Sequence, residues 1–386
     1  MTSPHTATRL QPFGETVFAT WSRLAIQHDA VNLGQGFPDF DGPEEVKEAA
    51  AKAMRDGHNQ YAPMIGIPSL GTGIAADFFA TTGIQANPNT DITVTSGCTE
   101  AIAATLLGLL NAGDEVIVFE PFYDSYPATI AMAGGVMKTV TTRPPDFGID
   151  IEAVHAAITP RTRAILLNTP HNPTGHVATM AELKGLASLC QQHDLIAICD
   201  EVYDRMVYEG VHVPMASLPG MYERTITLRS LAKTFSLTGW KIGWAIAAAP
   251  LSDAIRAGHQ FLTYAVPTPL QYGAAAALEL GDHYYRTLHD DYLHRRNLLC
   301  DALETVGFGV CRPAGTYFVM CDHTSFGFDG AHAFCQHLVE EVGVVAIPPG
   351  SFYVDPKDGH NLVRFAFCKT TSVLNEAISR LARLGV

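Results

Sequence analysis

From Asp91 to Cys199 the chain repeats one unit: a short apolar run, a turn, then a longer stretch of helical spacing. Residues 92–95, 115–120, 137–142, 163–168 and 195–199 read as strands. Helices are expected from 97 to about 110, from the 121–126 turn, from about 151 and over 180–193. The strands are apolar almost throughout rather than at alternate positions, so both of their faces must be buried. Buried strands separated by helices pair in parallel, with helices covering each side of the sheet. Two further apolar runs, 224–229 and 242–249, also read as buried strands.

The flanks follow other rules. Residues 1–43 read as irregular, with glycine and proline gathered in Asn32-Leu-Gly34-Gln-Gly36-Phe-Pro38-Asp-Phe-Asp-Gly-Pro43. A helix should start at Pro43, with Glu44 and Glu45 in its first turn. Gly71-Thr-Gly73-Ile-Ala-Ala76 has the spacing of a dinucleotide fingerprint. It follows a proline-broken loop and not a strand, so it reads as a helix start with small residues. Beyond Pro250 the pattern turns helical (251–262, 268–280, 282–306). Short strands at 317–320 and 362–367 then flank a helix at 331–342, and a terminal helix lies near 372–384. This is a second, smaller α+β unit, and the lack of repeats or low-complexity linkers predicts that it packs firmly on the first.

Composition excludes several classes. The formal charge of −14 repels phosphate backbones and anionic lipids, so neither nucleic acid nor membrane is an expected partner. No apolar run approaches the about 18 residues a membrane helix needs. The eight cysteines form no Cys-x-x-Cys pair, and the sixteen histidines show no ligand spacing. Reduced cysteines, a cytoplasmic location and no metal are expected. Met1-Thr-Ser-Pro-His5 has no basic head before an apolar run, so no signal peptide is expected.

The chemistry gathers after the strands, where open parallel sheets bind ligands. Lys233 follows strand 224–229 in Ser230-Leu-Ala-Lys233-Thr-Phe-Ser-Leu-Thr-Gly-Trp-Lys241. A desolvated amine has a lowered pKa and can form a Schiff base, while Ser230 and Lys241 suit a phosphate. That pairing is what pyridoxal phosphate requires. The same lysine could instead be a solvated loop residue, and Ser230-x-x-Lys233 also fits a penicillin-binding hydrolase. That second reading lacks its Ser-Asp-Asn and Lys-Thr-Gly partners. Gly97, Cys98 and Thr99 open a helix whose free amides could hold an anion, or could form an ordinary turn. Asp200 ends a very apolar strand, where a carboxylate needs a cation or serves as a helix cap. Asn172, Tyr203 and Tyr123 could reach or stack on a ring held there.

Asn168-Thr-Pro-His-Asn-Pro-Thr-Gly175, Asp200-Glu-Val-Tyr203, the 230–244 block and Leu362-Val-Arg364-Phe-Ala-Phe resemble the class I aminotransferases of pyridoxal phosphate fold type I. Asn32-Leu-Gly-Gln-Gly-Phe-Pro-Asp-Phe40 and Glu120-Pro-Phe-Tyr-Asp-Ser-Tyr126 narrow the resemblance to the kynurenine and methionine aminotransferase branch. The chain is also similar to actinobacterial succinyl-diaminopimelate aminotransferases. The resemblance implies an α/β fold with a mostly parallel seven-stranded sheet between helices in a large cofactor-binding domain (44–280). A small α+β domain would be formed by 1–43 and 281–386. It implies that Lys233 bonds the cofactor, Asp200 pairs with the pyridine nitrogen, and Tyr203 and Asn172 contact the ring oxygen. Tyr123 would stack on the ring. The Gly97, Cys98 and Thr99 amides with Ser230 and Lys241 would hold the phosphate, joined by Tyr61 from the neighbouring subunit of a homodimer. Arg364 would clamp the substrate carboxylate, with Gly36 and Asn172 beside it and Phe18 and Tyr264 at the substrate side chain.

The function expected is amino-group transfer from an apolar or aromatic amino acid (methionine, phenylalanine, tyrosine, kynurenine or glutamine) to a 2-oxo acid, by a ping-pong cycle. The alternatives are succinyl-diaminopimelate transamination, a cysteine-conjugate carbon–sulfur β-lyase on the same scaffold, and a catalytically silent cofactor-binding regulator.

Overall fold

A computed structural model describes residues 5–385. Residues 1–4, part of the stretch read for a signal peptide, lie outside the described residues. Twelve strands occur among those described: β1 (Val31–Asn32), β2 (Ile92–Thr95), β3 (Glu115–Glu120), β4 (Val136–Thr141), β5 (Thr162–Asn168), β6 (Ile196–Asp200), β7 (Thr225–Ser230), β8 (Gly243–Ile246), β9 (Gly309–Cys311), β10 (Phe318–Asp322), β11 (Val344–Val345) and β12 (Leu362–Ala366).

Seven of them form one sheet in the order β2-β8-β7-β6-β5-β3-β4. β3, β4, β5, β6 and β7 pair in parallel, whereas β8 runs antiparallel to both β2 and β7. Every residue of β2, β3, β6, β7 and β8 is buried, as strands covered on both faces must be, while edge strand β4 is mostly half-exposed. Helices Gly97–Leu109, Ser125–Met132 and Ala249–Leu262 pack by one apolar cluster, and Met180–Gln192 by another.

A second group contains the three-stranded sheet β12-β10-β9 and the pair β1-β11. Its core joins Leu33 with Leu299, Phe334, Val345 and Phe365, and takes in Val202, Tyr203 and Met206 from the loop after β6. That shared packing brings Arg364 on β12 to the edge of the large sheet.

Three local expectations need correction. Residues 1–43 are not irregular throughout, because Val17–Gln27 is a helix capped by the Thr16 hydroxyl. Its apolar residues Phe18, Trp21 and Ala25 recur at helical spacing, a signal overshadowed by the Gly/Pro cluster that follows. Lys233 lies in a short helix, Leu231–Thr234, rather than a loop; Ser230 caps it by accepting the Ala232 amide. The helix expected over 331–342 is α-helical for Ala331–His337 and then widens to a π turn over Leu338–Val342. The Gly71 segment lies inside the Pro68–Thr82 helix, as its context required.

Candidate active site

A cavity of about 360 Å³ opens beyond the carboxyl ends of β2, β3, β5, β6 and β7, within the size range of small-molecule sites. Because β8 is antiparallel, its amino-terminal end reaches this same edge. Gly243 is paired with Thr95 on one side and Ser230 on the other. Lys241, just before it, is thereby delivered beside Gly97.

Here the backbone is shaped as an anion cradle. Gly97 has φ +69°, and a Cβ on it would stand 3.2 Å from the Cε and Nζ of Lys241. A Cβ on Gly243 would stand 2.7 Å from the Cys98 amide nitrogen, so this close approach of two chain segments requires glycine. Lys241 itself holds the left-handed conformation at φ +54°, a strain of the kind concentrated at ligand sites. The free amides at the start of Gly97–Leu109, Ser230 and Lys241 line the cavity together, giving fixed dipoles and one point charge for an anion.

At the floor lies Asp200, buried at the end of β6. Its carboxylate accepts hydrogen bonds from the Tyr126 hydroxyl (2.7 Å), the Val202 amide (3.4 Å) and the Cys98 thiol (3.6 Å). Burial nonetheless raises its pKa, against the hydrogen bonds of Tyr126, Val202 and Cys98 and the charge of Lys233. A buried carboxylate so placed is built to meet a cation. The Asn168 side chain fixes the local backbone by donating to the Asp200 carbonyl (2.8 Å) and accepting the Asn172 amide (2.7 Å). Lys233 is half-buried, its Nζ 5.7 Å from the ring centres of Tyr203 and Tyr317, and burial lowers its pKa. The Asp124 carboxyl is also pushed up by burial, and Tyr123 stands edge-on to Tyr126 at 5.5 Å.

Arg364 forms the opposite wall and is buried. It donates to the Asn172 side-chain oxygen (3.2 Å) and the Gly34 carbonyl (2.8 Å), while its Nε has no protein partner. The guanidinium lies over the rings of Phe318 (4.2 Å), Phe18 (5.0 Å) and Phe352 (5.3 Å), and burial lowers its pKa to about 10. A buried, aromatic-walled guanidinium with an unused donor has the chemistry to accept a carboxylate. The Gly36 loop beside it is tied down by the Tyr317 hydroxyl (2.7 Å). A Cβ on Gly36 would stand 2.4 Å from Phe318.

Gly36, Gly97, Cys98, Thr99, Tyr123, Asn172, Asp200, Tyr203, Ser230, Lys233, Lys241, Arg364 and Phe18 all line this cavity. Tyr61 and Tyr264 do not. They pack edge-to-face at 5.9 Å on the outer surface, 86% and 49% exposed; Phe261, three residues before Tyr264 in the chain, is also 86% exposed. Tyr264 follows the end of the Ala249–Leu262 helix with its ring on the surface, so the place expected for it at the substrate side chain does not lie in the cavity of a single chain. Sequence reasoning missed Tyr126, Asn168, Gln35, Thr238 and Phe318, which also line the cavity. Tyr126 and Asn168 lie within motifs already singled out. So do Gln35 and Thr238, whereas Phe318 carries no signal that separates it from core residues.

The family model for aminotransferase class I and II matches residues 28–381. The solved structure of the N-succinyldiaminopimelate aminotransferase from Mycobacterium tuberculosis is similar with a TM-score of 0.95. It is 45% identical, covering 98% of this chain and 100% of that one. A methionine aminotransferase of Escherichia coli is 40% identical, covering 97% of each chain. A kynurenine–oxoglutarate transaminase of Dictyostelium discoideum is 38% identical, covering 96% of this chain and 94% of its own.

Proposed function

Because this chain belongs to the class I and II aminotransferases, we propose that it uses pyridoxal 5′-phosphate to move the amino group of an apolar or aromatic amino acid to a 2-oxo acid. The observation that carries this reading is one cavity uniting a desolvated lysine, a buried carboxylate in want of a cation, an anion cradle and a buried guanidinium. The residues fit the cofactor. Lys233 would bond its aldehyde carbon and Asp200 would hold its pyridine nitrogen protonated. Asn172 and Tyr203 would reach its ring oxygen, Tyr123 its face, and Gly97–Thr99, Ser230 and Lys241 its phosphate. When bound, the group supplies an electrophilic carbon and an electron-withdrawing ring.

The chain's own residues do the rest. Arg364 binds the donor's α-carboxylate, with Asn172 and the Gly36 loop fixing its angle, so that the Cα–H bond is held toward Lys233. The Lys233 amine, its pKa lowered by burial, takes the proton from Cα and later returns one, as general base and then acid. Tyr126 and Cys98 hold the Asp200 carboxylate in place. Donor and 2-oxo acceptor use the same clamp in turn, which gives ping-pong kinetics.

The side-chain walls are Phe18, Phe37 and Phe318, and the cavity's basic groups are Lys233, Lys241 and Arg364 alone. Apolar walls favour methionine, phenylalanine, tyrosine, kynurenine or neutral glutamine, at about 0.8 kcal/mol per buried CH₂. They would strand a distal carboxylate out of water. The likeness to the mycobacterial enzyme favours a second reading, a succinylated diaminopimelate donor. Comparing kcat/KM for methionine, aspartate and succinyl-diaminopimelate at one fixed 2-oxo acid separates the two. Methionine should lead; aspartate ahead of it overturns the apolar-wall reading, and a large lead for the succinylated donor moves the assignment to that substrate. Pyruvate and ammonia released without an acceptor would reveal a β-lyase.

The proposed enzyme is a cytoplasmic homodimer. Its seven buried cysteines and one half-buried cysteine suit a reducing compartment. The exposed aromatic patch of Tyr61, Phe261 and Tyr264 suits the partner's phosphate site and substrate pocket. Residues 44–280 would form the cofactor domain, with 1–43 and 281–386 as the small one.

A further inference from the structure

His259, near the end of the Ala249–Leu262 helix, is fully buried. Both of its ring nitrogens meet oxygens. Nδ1 lies 2.6 Å from Glu100 Oε1, and Nε2 lies 3.0 Å from the Met64 carbonyl. A neutral imidazole has a single N–H and would turn a lone pair on one of these acceptors. With a carboxylate oxygen on one nitrogen and a carbonyl on the other, the imidazolium, which donates from both, satisfies both contacts.

The position of this ion pair gives it a purpose. Glu100 stands in the first turn of Gly97–Leu109, and its second oxygen accepts the Ser96 amide at 2.5 Å. An uncompensated carboxylate there would repel an anion on the neighbouring Gly97–Thr99 amides. Met64 belongs to the segment after Tyr61, and the next carbonyl, Ile65, accepts the Val94 amide of β2 at 3.1 Å. The His259 carbonyl accepts the Thr263 and Tyr264 amides, each at 3.0 Å. One residue, by its ring and its carbonyl, therefore joins the cradle to both segments of the exposed aromatic patch.

We propose that His259, held as an imidazolium between Glu100 and Met64, is a positioning residue for the cofactor's phosphate. Its charge cancels that of Glu100 beside the cradle, and loss of its proton at alkaline pH weakens phosphate retention. The inference rests on the reading of Gly97–Thr99 as the phosphate site.

Among the described residues, Glu100 is the charged group facing the ring from the cradle helix. Arg256, a turn earlier on the histidine's own helix, is directed at Thr93 Oγ1 (3.1 Å) and the Ile92 carbonyl (2.8 Å) instead. The segment around Met64 presents a carbonyl, and Lys241 faces the cavity. Burial works to lower the His259 pKa, but the Glu100 hydrogen bond and charge outweigh it and the net direction is upward. The imidazolium contribution is thus complete below the ordinary histidine value and lost as pH rises through the raised one.

The test compares pyridoxal phosphate with phosphate-free pyridoxal, titrated onto the full chain by absorbance from about pH 6 to about pH 9. Wild-type Kd for pyridoxal phosphate should rise about tenfold over that range, the scale of one charge-assisted hydrogen bond. His259→Gln should bind it about tenfold more weakly at the acidic end and show no such step, while its pyridoxal affinity stays within about twofold of wild type. Removing the uncompensated carboxylate in the double variant Glu100→Gln/His259→Gln should recover most of the loss, which a merely structural defect would not allow. Wild-type affinity and pH dependence in His259→Gln overturns the proposal, as does an equal loss for pyridoxal. Ring ¹⁵N shifts of wild-type His259 test it without any variant: a neutral ring at neutral pH overturns it. A wild-type chain that binds no pyridoxal phosphate at any pH overturns the cofactor reading itself, and the inference with it.

Discussion

In the proposed function Lys233 is the residue on which the chemistry turns, and its neighbours say why. It is desolvated yet faces a cavity, and no carboxylate forms an ion pair with it among the described residues, so its amine stays free to react. Lys233→Ala should abolish turnover while the cradle and Asp200 still bind cofactor. Borohydride reduction should link the cofactor to Lys233 in the native chain, and attachment to Lys241 would show the assignment to be wrong. Tyr126 has a subtler part. Its hydroxyl favours the charged form of Asp200, opposing the upward push of burial. Tyr126→Phe removes that donor, at a cost of about 1.5–3 kcal/mol for a bond to a charged group. The Asp200 pKa should rise further, so the acidic limb of the kcat/KM profile should move to higher pH. An unmoved limb would mean that Tyr126 is packing alone. The tyrosine itself was visible in the motif Glu120–Tyr126; its hydroxyl's aim at Asp200, 74 residues away, was not.

At the scale of elements, one strand's direction decides how the anion cradle is assembled. β8 reverses against β7 and β2, so the loop before it, and not the loop after it, reaches the ligand edge. Its pairing forces Gly243 against Gly97 and leaves Lys241 in the left-handed region. Gly97→Ala meets both the positive φ and the Lys241 side chain, and should weaken pyridoxal phosphate binding about tenfold, the effect of 1–2 kcal/mol of backbone strain at the cradle. Gly57 is the control: it also has positive φ, at +91°, but nothing lies within 4 Å of its Cβ position. Gly57→Ala should lower stability and leave cofactor affinity unchanged. Equal losses of affinity from the two substitutions would deny the cradle its special geometry.

For the whole molecule, the amino-terminal arm joins the smaller core to the cavity wall. Trp21 is buried in the smaller core, edge-on to His332 at 5.5 Å, while Phe18, one turn away on the same helix, roofs Arg364. Ser22 on that helix also receives a hydrogen bond from Gln35, a cavity residue. Trp21→Ala should cost about 3–5 kcal/mol of stability, as large core truncations do, and raise KM for the donor more than it lowers kcat. Urea unfolding and steady-state kinetics on one preparation check both, and an unchanged KM would separate the arm from the site.

The sheet, its helices and most of the site were legible in sequence because they rest on local patterns. Apolar runs with a period set by burial marked the strands, and short motifs after them marked Lys233, Asp200, Asn172 and the Gly97 turn. Arg364 was legible only through resemblance, since an arginine in an apolar strand carries no sign of which cavity it will face. The antiparallel course of β8, the place of Phe318 over the guanidinium, the His259–Glu100 pair and the outward turn of Tyr264 were decided by tertiary structure. Each depends on contacts between segments far apart in the chain, and the free energy of such contacts leaves no periodicity in the residues that make them.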